Sequence, residues 1–369
     1  MSEVVHDVWV EVDLAALRHN FGQVKSAIHK STKVMAVVKG NGFGHGYVEP
    51  ARAFTEAGAD YLAVTRLDEA IPLRQAGITT PILLFAPIQP DNAEAAVAAD
   101  LDLTVTSLPL AEAISKAAQK MGKTARVWVK VDTGMGRLGV TLREGTQICD
   151  DVSRMPGIEI AGIYTHFASA LEADLMPTKE QLRVFLELLR SLQAAGIDYG
   201  MASAANSAGI LRLQDSHLDI VRPGTLLYGQ YPSQHVPHSL DLKPTWKLKA
   251  RICDVRKAPK GAKIGYGAEY TTTRATKTAV IPIGFAEGFA MAPEGPFYRQ
   301  SLLKFAVKRM RRSLCVTIGG RKCPVLGRVA MQMTVVDVTD LPEVRVGDEA
   351  LIPALRIPTS PLIPRVYTA

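Results

Sequence analysis

Between about residues 13 and 230 the chain alternates short apolar, β-branched runs with longer runs of helical period. The short runs fall at 34–38, 61–65, 81–85, 103–106, 125–131, 158–164, 202–204 and 219–221. Apolar text of that length, bounded by turn residues, predicts strands buried on both faces. Helical stretches at 48–57, 67–76, 92–98 and 109–120 lie between them, and three of these stop at Gly58, Gly77 and Gly122. Glycine is the residue that closes a helix most readily. Eight strand–helix units in this span predict an α/β fold, a closed (β/α)8 barrel of the TIM type, with an open doubly wound sheet as the rival architecture. Past about residue 240 the period changes. Strand-like runs at 246–256, 278–283, 313–318, 322–325 and 334–338, with Gly and Pro between them, predict an all-β second domain. The strand-like residues 8–12 are expected to pair with it. The expected division is a barrel at 13–240 and a β domain built from 1–12 and 241–369.

Composition changes this picture little. The 369 residues are 47% hydrophobic and 21% charged, enough apolar text for a large core without cross-links. The formal charge of +7 fits nucleic acid, an anionic small ligand or no charged partner equally well. Lys304, Lys308, Arg309, Arg311 and Arg312 bunch together, followed by Arg321 and Lys322, and read as a solvated face. No helix-turn-helix or zinc spacing stands beside them, so nucleic acid is not an expected partner. Cys149, Cys253, Cys315 and Cys323 have no metal-ligand spacing, and no metal is expected. With no apolar run near 18 residues and no basic-then-apolar leader, the expected setting is cytoplasmic, reduced and away from membranes.

In a barrel, chemistry sits where strands end and loops begin. The first strand runs into Lys39 and then Gly40-Asn41-Gly42-Phe43-Gly44-His45-Gly46. A lysine at a buried strand end is suited to Schiff-base chemistry because burial lowers its pKa, and it is equally readable as a lysine snorkelling before an ordinary loop. The fifth strand carries Lys130 and runs into Asp132-Thr133-Gly134-Met135-Gly136-Arg137-Leu138-Gly139, where Arg137 is suited to clamping a carboxylate or phosphate, or is a plain surface arginine. His166 ends the next strand, in the place of a structural histidine or a support for another polar group. Asn206 and Ser207 open a helix, either as an N-cap or as a phosphate-binding turn. Arg222, Pro223, Gly224 and Thr225 follow the last strand, where barrel phosphate sites are frequent.

These five motifs, in this order and spacing, resemble the alanine racemase family over nearly the whole chain. The resemblance implies a pyridoxal 5'-phosphate (PLP) enzyme that interconverts L-alanine and D-alanine for bacterial cell-wall synthesis, as a head-to-tail homodimer with shared active sites. It implies that Lys39 binds the cofactor covalently and is one racemisation base. Tyr266, in Ile264-Gly265-Tyr266-Gly267-Ala268-Glu269-Tyr270, is the implied opposite base, reaching the neighbouring subunit's cofactor. Arg222 is implied at the pyridine nitrogen with His166 in support, and Asn206, Ser207, Gly224 and Thr225 around the phosphate. Arg137 is implied at the substrate carboxylate or the cofactor's phenolic oxygen, Met331 at the substrate carboxylate, and Lys130 matches a lysine that some members carbamylate.

The chain also departs from the family pattern. Phe43 stands for a usual tyrosine, Ser203 for a common histidine, Phe285 and Glu287 for Tyr and Asp, and Gln332 for an aspartate beside Met331. The tail is short, running from Pro358 almost directly to Arg365-Val366-Tyr367. These changes surround the phosphate and the substrate entrance. They imply weaker cofactor retention or an altered substrate, and they keep a racemase of serine, lysine or another amino acid in view. A barrel-type PLP decarboxylase and a non-catalytic PLP-binding protein are the remaining alternatives; Arg222 in place of an acid speaks against the first, and the retention of Lys39 and Tyr266 against the second.

Overall fold

The computed structural model describes residues 5–291 and 314–369. The basic cluster from Lys304 to Arg312 and the first residue of the run at 313–318 lie outside them. The chain divides into two units, one of residues 14–245 and one of the N-terminal residues to Asp13 together with 246–369.

Unit 14–245 is a barrel of eight parallel strands: Lys33–Val37, Tyr61–Val64, Ile82–Leu84, Asp102–Val105, Ala125–Lys130, Ile158–Tyr164, Met201–Ser203 and Ile220–Val221. Neighbours in sequence pair in space, and the last strand pairs with the first. The gap between the seventh and eighth strands is closed by Asp219 N–H to Ala202 O at 3.2 Å and Arg222 N–H to Ala205 O at 2.9 Å. The open doubly wound sheet is thereby excluded. Helices such as Val48–Glu56, Leu67–Gln75 and Leu108–Lys120 cover the outside, and Gly58, Gly77 and Gly122 take positive φ just past their ends.

Strand side chains alternate between the interior and the surrounding helices, with a register shift between Val127 and Trp128 where that strand pairs with Ile158–Tyr164. Met35, Val37, Tyr61, Ala63, Leu83, Trp128, Ala161, Tyr164 and Ile220 form one buried cluster inside the barrel. Gly162 makes room for it: a Cβ there would lie 2.4 Å from the Trp128 ring. At the N-terminal end of the strands, buried Asp102 accepts from Trp128 Nε1 at 3.0 Å and pairs with Arg126, which also donates to Tyr61 Oη at 2.5 Å. A polar plug therefore closes that end, and the C-terminal end is left for chemistry.

The second unit is built from strands and short 3₁₀ turns among its described residues. A six-stranded sheet runs, in spatial order, Arg321–Pro324, Cys315–Ile318, Glu349–Ile352, Trp246–Arg251, Val8–Asp13 and Arg365–Thr368. Val8–Asp13 is antiparallel to Trp246–Arg251 and parallel to Arg365–Thr368. Asp254–Ala258, Thr276–Ile281 and Thr334–Asp337 make a three-stranded sheet. The run at 246–256, expected as one strand, is two. The chain changes sheets at Ile252 and Cys253, whose N–H groups donate to Asp348 O and Val280 O respectively.

Candidate active site

The loop after the first strand is not an ordinary turn. Gly40, Asn41, Gly42 and Phe43 have φ of 62, 55, 56 and 53°, one turn of left-handed helix. L-residues resist this conformation by roughly 1–2 kcal/mol each, which glycine escapes. Asn41 and Phe43 carry that cost, and a Cβ on Gly40 would meet nothing within 4 Å, so backbone conformation rather than space selects glycine there. Two buried side chains hold the turn. Glu69 Oε1 accepts from Gly40 N–H at 2.9 Å, and His45 Nδ1 lies 3.0 Å from Gly42 O and 3.2 Å from Phe43 O. The Phe43 ring stacks on Tyr228, with centroids 4.7 Å apart.

Lys39 heads this turn at the C-terminal mouth of the barrel, in a cavity of about 320 Å³. That volume is at the lower end for a small-molecule site, roughly 300–1,000 Å³. Lys130, Arg137, His166, Asn206, Ser207, Arg222, Gly224 and Thr225 line the same cavity, which gathers all the barrel residues singled out in the sequence. Among the described residues lining it there is no carboxylate. Four cationic groups therefore converge on one space, a field suited to an anion.

Their mutual repulsion and burial set their protonation. Lys39 stands open to the cavity, yet the protein packed around its amine, then the Arg137 charge, then that of Arg222, lower its pKa, with Glu69 acting upward. Lys130 is buried, its amine 3.0 Å from Val131 O and over the Tyr164 ring at 5.0 Å. Burial, and then Arg222, push it down to about 7. Burial first and Arg222 next push His166 down to about 3, so its ring is neutral at physiological pH. Arg222, itself lowered to about 10 by burial, donates to Ser203 Oγ at 2.5 Å, Thr165 O at 2.6 Å and Ala204 O at 3.2 Å. Ser203 Oγ in turn donates to Ile220 O. The hydroxyl standing where the family commonly has histidine thus orients this guanidinium, and His166 is a neutral neighbour rather than a hydrogen-bond partner.

The two turns beyond strands seven and eight are tied together. Gly224 N–H donates to Ser207 Oγ at 2.9 Å, so the Ser207 hydroxyl keeps its own hydrogen to donate. A Cβ on Gly224 would lie 2.9 Å from Phe43 Cζ. Asn206 Oδ1 accepts from Ala208 and Gly209 N–H at 3.0 Å each, a true N-cap. Arg137 rides a loop wrapped around Asp132, whose carboxylate accepts from Gly134, Met135, Gly136 and Arg137 N–H. Asp132 and Glu69 were not singled out in the sequence. An Asp followed by glycines signals the first; the second reads only as a helix-capping acid.

Tyr266 and Met331 lie in the β unit. Tyr266 is 72% exposed, at the tip between the short strands Lys263–Ile264 and Tyr270–Thr271, with Gly265 and Gly267 at φ 78 and 68°. Met331 is also exposed. Beside it Gln332 Nε2 donates to Glu287 Oε1 at 2.8 Å, and Glu287 Oε2 accepts from Gly284 N–H. Two departures from the family pattern are therefore one interaction: an amide at 332 is what a carboxylate at 287 can pair with.

Known proteins agree with this architecture along the chain. The family description "Alanine racemase, N-terminal domain" matches residues 12–232, and "Alanine racemase, C-terminal domain" matches 245–358. An alanine racemase of Desulforamulus reducens is 42% identical over 347 residues, 94% of this chain and 89% of that protein. One from Desulfovibrio desulfuricans is 39% identical over 345 residues, covering 94% and 88%. Among solved structures, an alanine racemase of Clostridium difficile 630 superposes with a TM-score of 0.90 at 32% identity, covering 99% of this chain and 97% of that one. One from Bacillus anthracis with bound L-Ala-P superposes with a TM-score of 0.87 at 30% identity, covering 100% and 96%. The chain belongs to the alanine racemase family.

Proposed function

We propose that this protein interconverts L- and D-alanine with PLP, as a homodimer in which each site combines Lys39 of one subunit with Tyr266 of the partner subunit. The observation that carries the reading is the cavity at the barrel mouth, where an amine of lowered pKa faces three further cationic side chains and, among the described residues, no lining carboxylate. The donor set fits PLP. Lys39 would hold the aldehyde, and Ser207, Gly224 and Thr225 would hold the phosphate. Arg222 would face the pyridine nitrogen. It is buried and bonded to a hydroxyl and two carbonyls, so it reaches the cavity as a cation rather than as half of an ion pair. PLP supplies the electron sink that makes the α-proton of a bound amino acid acidic.

The chain's own residues do the rest. Arg137 binds the substrate carboxylate, and Met331 of the partner subunit lies toward the substrate. Racemisation needs two acid–base groups on opposite faces of one carbon. Lys39 serves one face, its lowered pKa bringing the amine nearer to neutrality at working pH. The phenol of Tyr266 serves the other, and its exposure on its own subunit leaves it available to a neighbour. Facing a pyridine nitrogen, the Arg222 cation would disfavour protonation there, which would restrain the sink and limit transamination.

The test is chiral chromatography of L-alanine incubated with PLP-loaded protein. The mixture is expected to approach equal D and L. The absence of D-product from alanine, serine and lysine alike would remove the proposal. The Glu287–Gln332 pair beside Met331 favours a second reading, a preference for serine or lysine, and the same panel ranks the three. Tyr266→Phe is expected to keep the visible absorbance of bound PLP while losing at least about a hundredfold in kcat.

A further inference from the structure

Glu69 makes a contact that helix capping does not require. It is the third residue of helix Leu67–Gln75, and its Oε2 accepts from Arg66 N–H at 3.2 Å and Thr65 N–H at 2.7 Å. That is the capping-box bond, with one more amide gathered in. Its Oε1 turns away from the helix, accepts from Gly40 N–H at 2.9 Å, and lies 3.4 Å from the Tyr47 hydroxyl. The side chain is 3% exposed, and none of these partners is a cation. Its hydrogen-bond partners are neutral donors, so none of them offsets the upward pull that this carboxylate exerts on the Lys39 amine.

The receiving end of that contact is the first amide of the left-handed turn. Gly40 follows Lys39 and is the first of five consecutive residues of positive φ, Gly40 to Gly44, a conformation held only by its surroundings. His45 grips the foot of the turn through the Gly42 and Phe43 carbonyls, and Glu69 grips its head. Among the described residues, the charged groups acting on the Lys39 amine are Arg137, Arg222 and Glu69; of these Glu69 is the acid.

We propose that Glu69 is the positioning residue of the cofactor lysine: it fixes the Gly40 amide, and with it the course of Lys39, and it supplies the negative charge that keeps the Lys39 amine a usable proton carrier. This rests on the reading that Lys39 holds PLP and moves the α-proton. Burial, Arg137 and Arg222 all lower the amine's pKa, and Glu69 opposes them. Without it the amine sheds its proton at lower pH and becomes a weaker base. Glu69 does not line the cavity, so its loss affects proton transfer more than alanine binding.

Glu69→Gln tests the charge and the tether together. It is isosteric, but its amide nitrogen cannot accept a hydrogen bond, so either Gly40 or the Thr65–Arg66 pair loses its acceptor. With the PLP-loaded full chain, kcat for alanine is expected to fall roughly ten- to a hundredfold while KM changes less. After PLP is removed with hydroxylamine, Lys39 is acetylated across a pH series and scored by peptide mass spectrometry, with Lys120 as an exposed reference. Its labelling midpoint is expected to move to lower pH, which a purely structural role would not produce. A midpoint and kcat equal to the parent's would overturn the proposal. Glu69→Asp keeps the charge and shortens the reach, so it is expected to lower kcat with the midpoint near the parent's; if Glu69→Gln does not fold, a parental kcat in Glu69→Asp overturns it. Loss of the PLP reading would show differently, as visible absorbance that borohydride does not fix onto Lys39, and the labelling series would still report whether Glu69 acts on that amine.

Discussion

At the scale of single residues, Lys130 is the group whose burial has the clearest consequence. Its amine titrates near 7 in the folded chain and near 10.4 when exposed. Below pH 7 the amine is charged in both states, and folding bears the full cost of burying that charge. As pH rises from 7 toward 10.5 the folded state has shed its proton while the unfolded state still holds one, and the penalty shrinks to nothing. Lys130→Met is therefore expected to stabilise the fold by roughly 2–4 kcal/mol at pH 6, with the gain gone by about pH 10.5. Thermal melts across that range in carbonate-free buffer check it; a stability difference independent of pH would contradict it. An amine neutral near pH 7, with the Arg222 and Arg137 guanidiniums acting on it, is also the form that captures carbon dioxide, and added bicarbonate is expected to raise the melting temperature of the parent but not of Lys130→Met. His166 stays neutral in the folded chain over this range while the unfolded ring gains a proton below about 6.5, so it lowers stability at the acid end in parent and Lys130→Met alike and cancels from their difference.

At the scale of elements, the site is a set of loops forced into shape by a few backbone amides. The Arg137 loop shows the limit of its tolerance. Gly139 has φ 126°, and a Cβ there would lie 2.6 Å from Asp132 N and 2.9 Å from Lys130 O. Gly139→Ala must push the loop off the strand end, undoing the Val131–Val140 bridge and moving Arg137. The expected result is a kcat/KM for alanine lower by about ten- to a hundredfold, carried mainly by KM, with the visible PLP absorbance retained. Steady-state kinetics beside an absorbance spectrum decides it. The barrel elements were legible because most strands are short runs rich in Val, Ile, Leu and Ala and largely buried, several of them running into a polar residue, as at Lys39, Lys130, His166 and Arg222. The strands Glu349–Ile352 and Arg365–Thr368 were not: each has four residues, and their apolar positions are too few to show a period. Glu69 escaped notice for a different reason. In sequence it is a capping acid on an ordinary helix, and its bond to Gly40 exists only because the first two barrel strands pair and bring their ends side by side.

At the scale of the molecule, the proposed chemistry cannot be completed by one chain reading its own two units, because Tyr266 is proposed to serve the neighbour. A closed twofold dimer places the same pair of patches against each other twice, so each subunit lends one phenol and receives one. Mixed dimers expose this arrangement. Lys39→Ala and Tyr266→Ala proteins are each expected to be inactive alone. When the two are unfolded together and refolded in equal amounts, about half of the dimers pair one of each kind. In such a dimer one site carries both defects and the other carries neither, since its lysine and its phenol come from the two intact contributions. Activity is then expected to return to about a quarter of the parent's per subunit, half of the dimers bearing one good site of two. Chains that met Tyr266 within themselves would make every site in the mixture defective, and no recovery would appear. Size-exclusion chromatography of the mixture, with each variant carrying a different affinity tag, separates failed exchange from failed complementation, so inactive but verified mixed dimers would refute the sharing of sites.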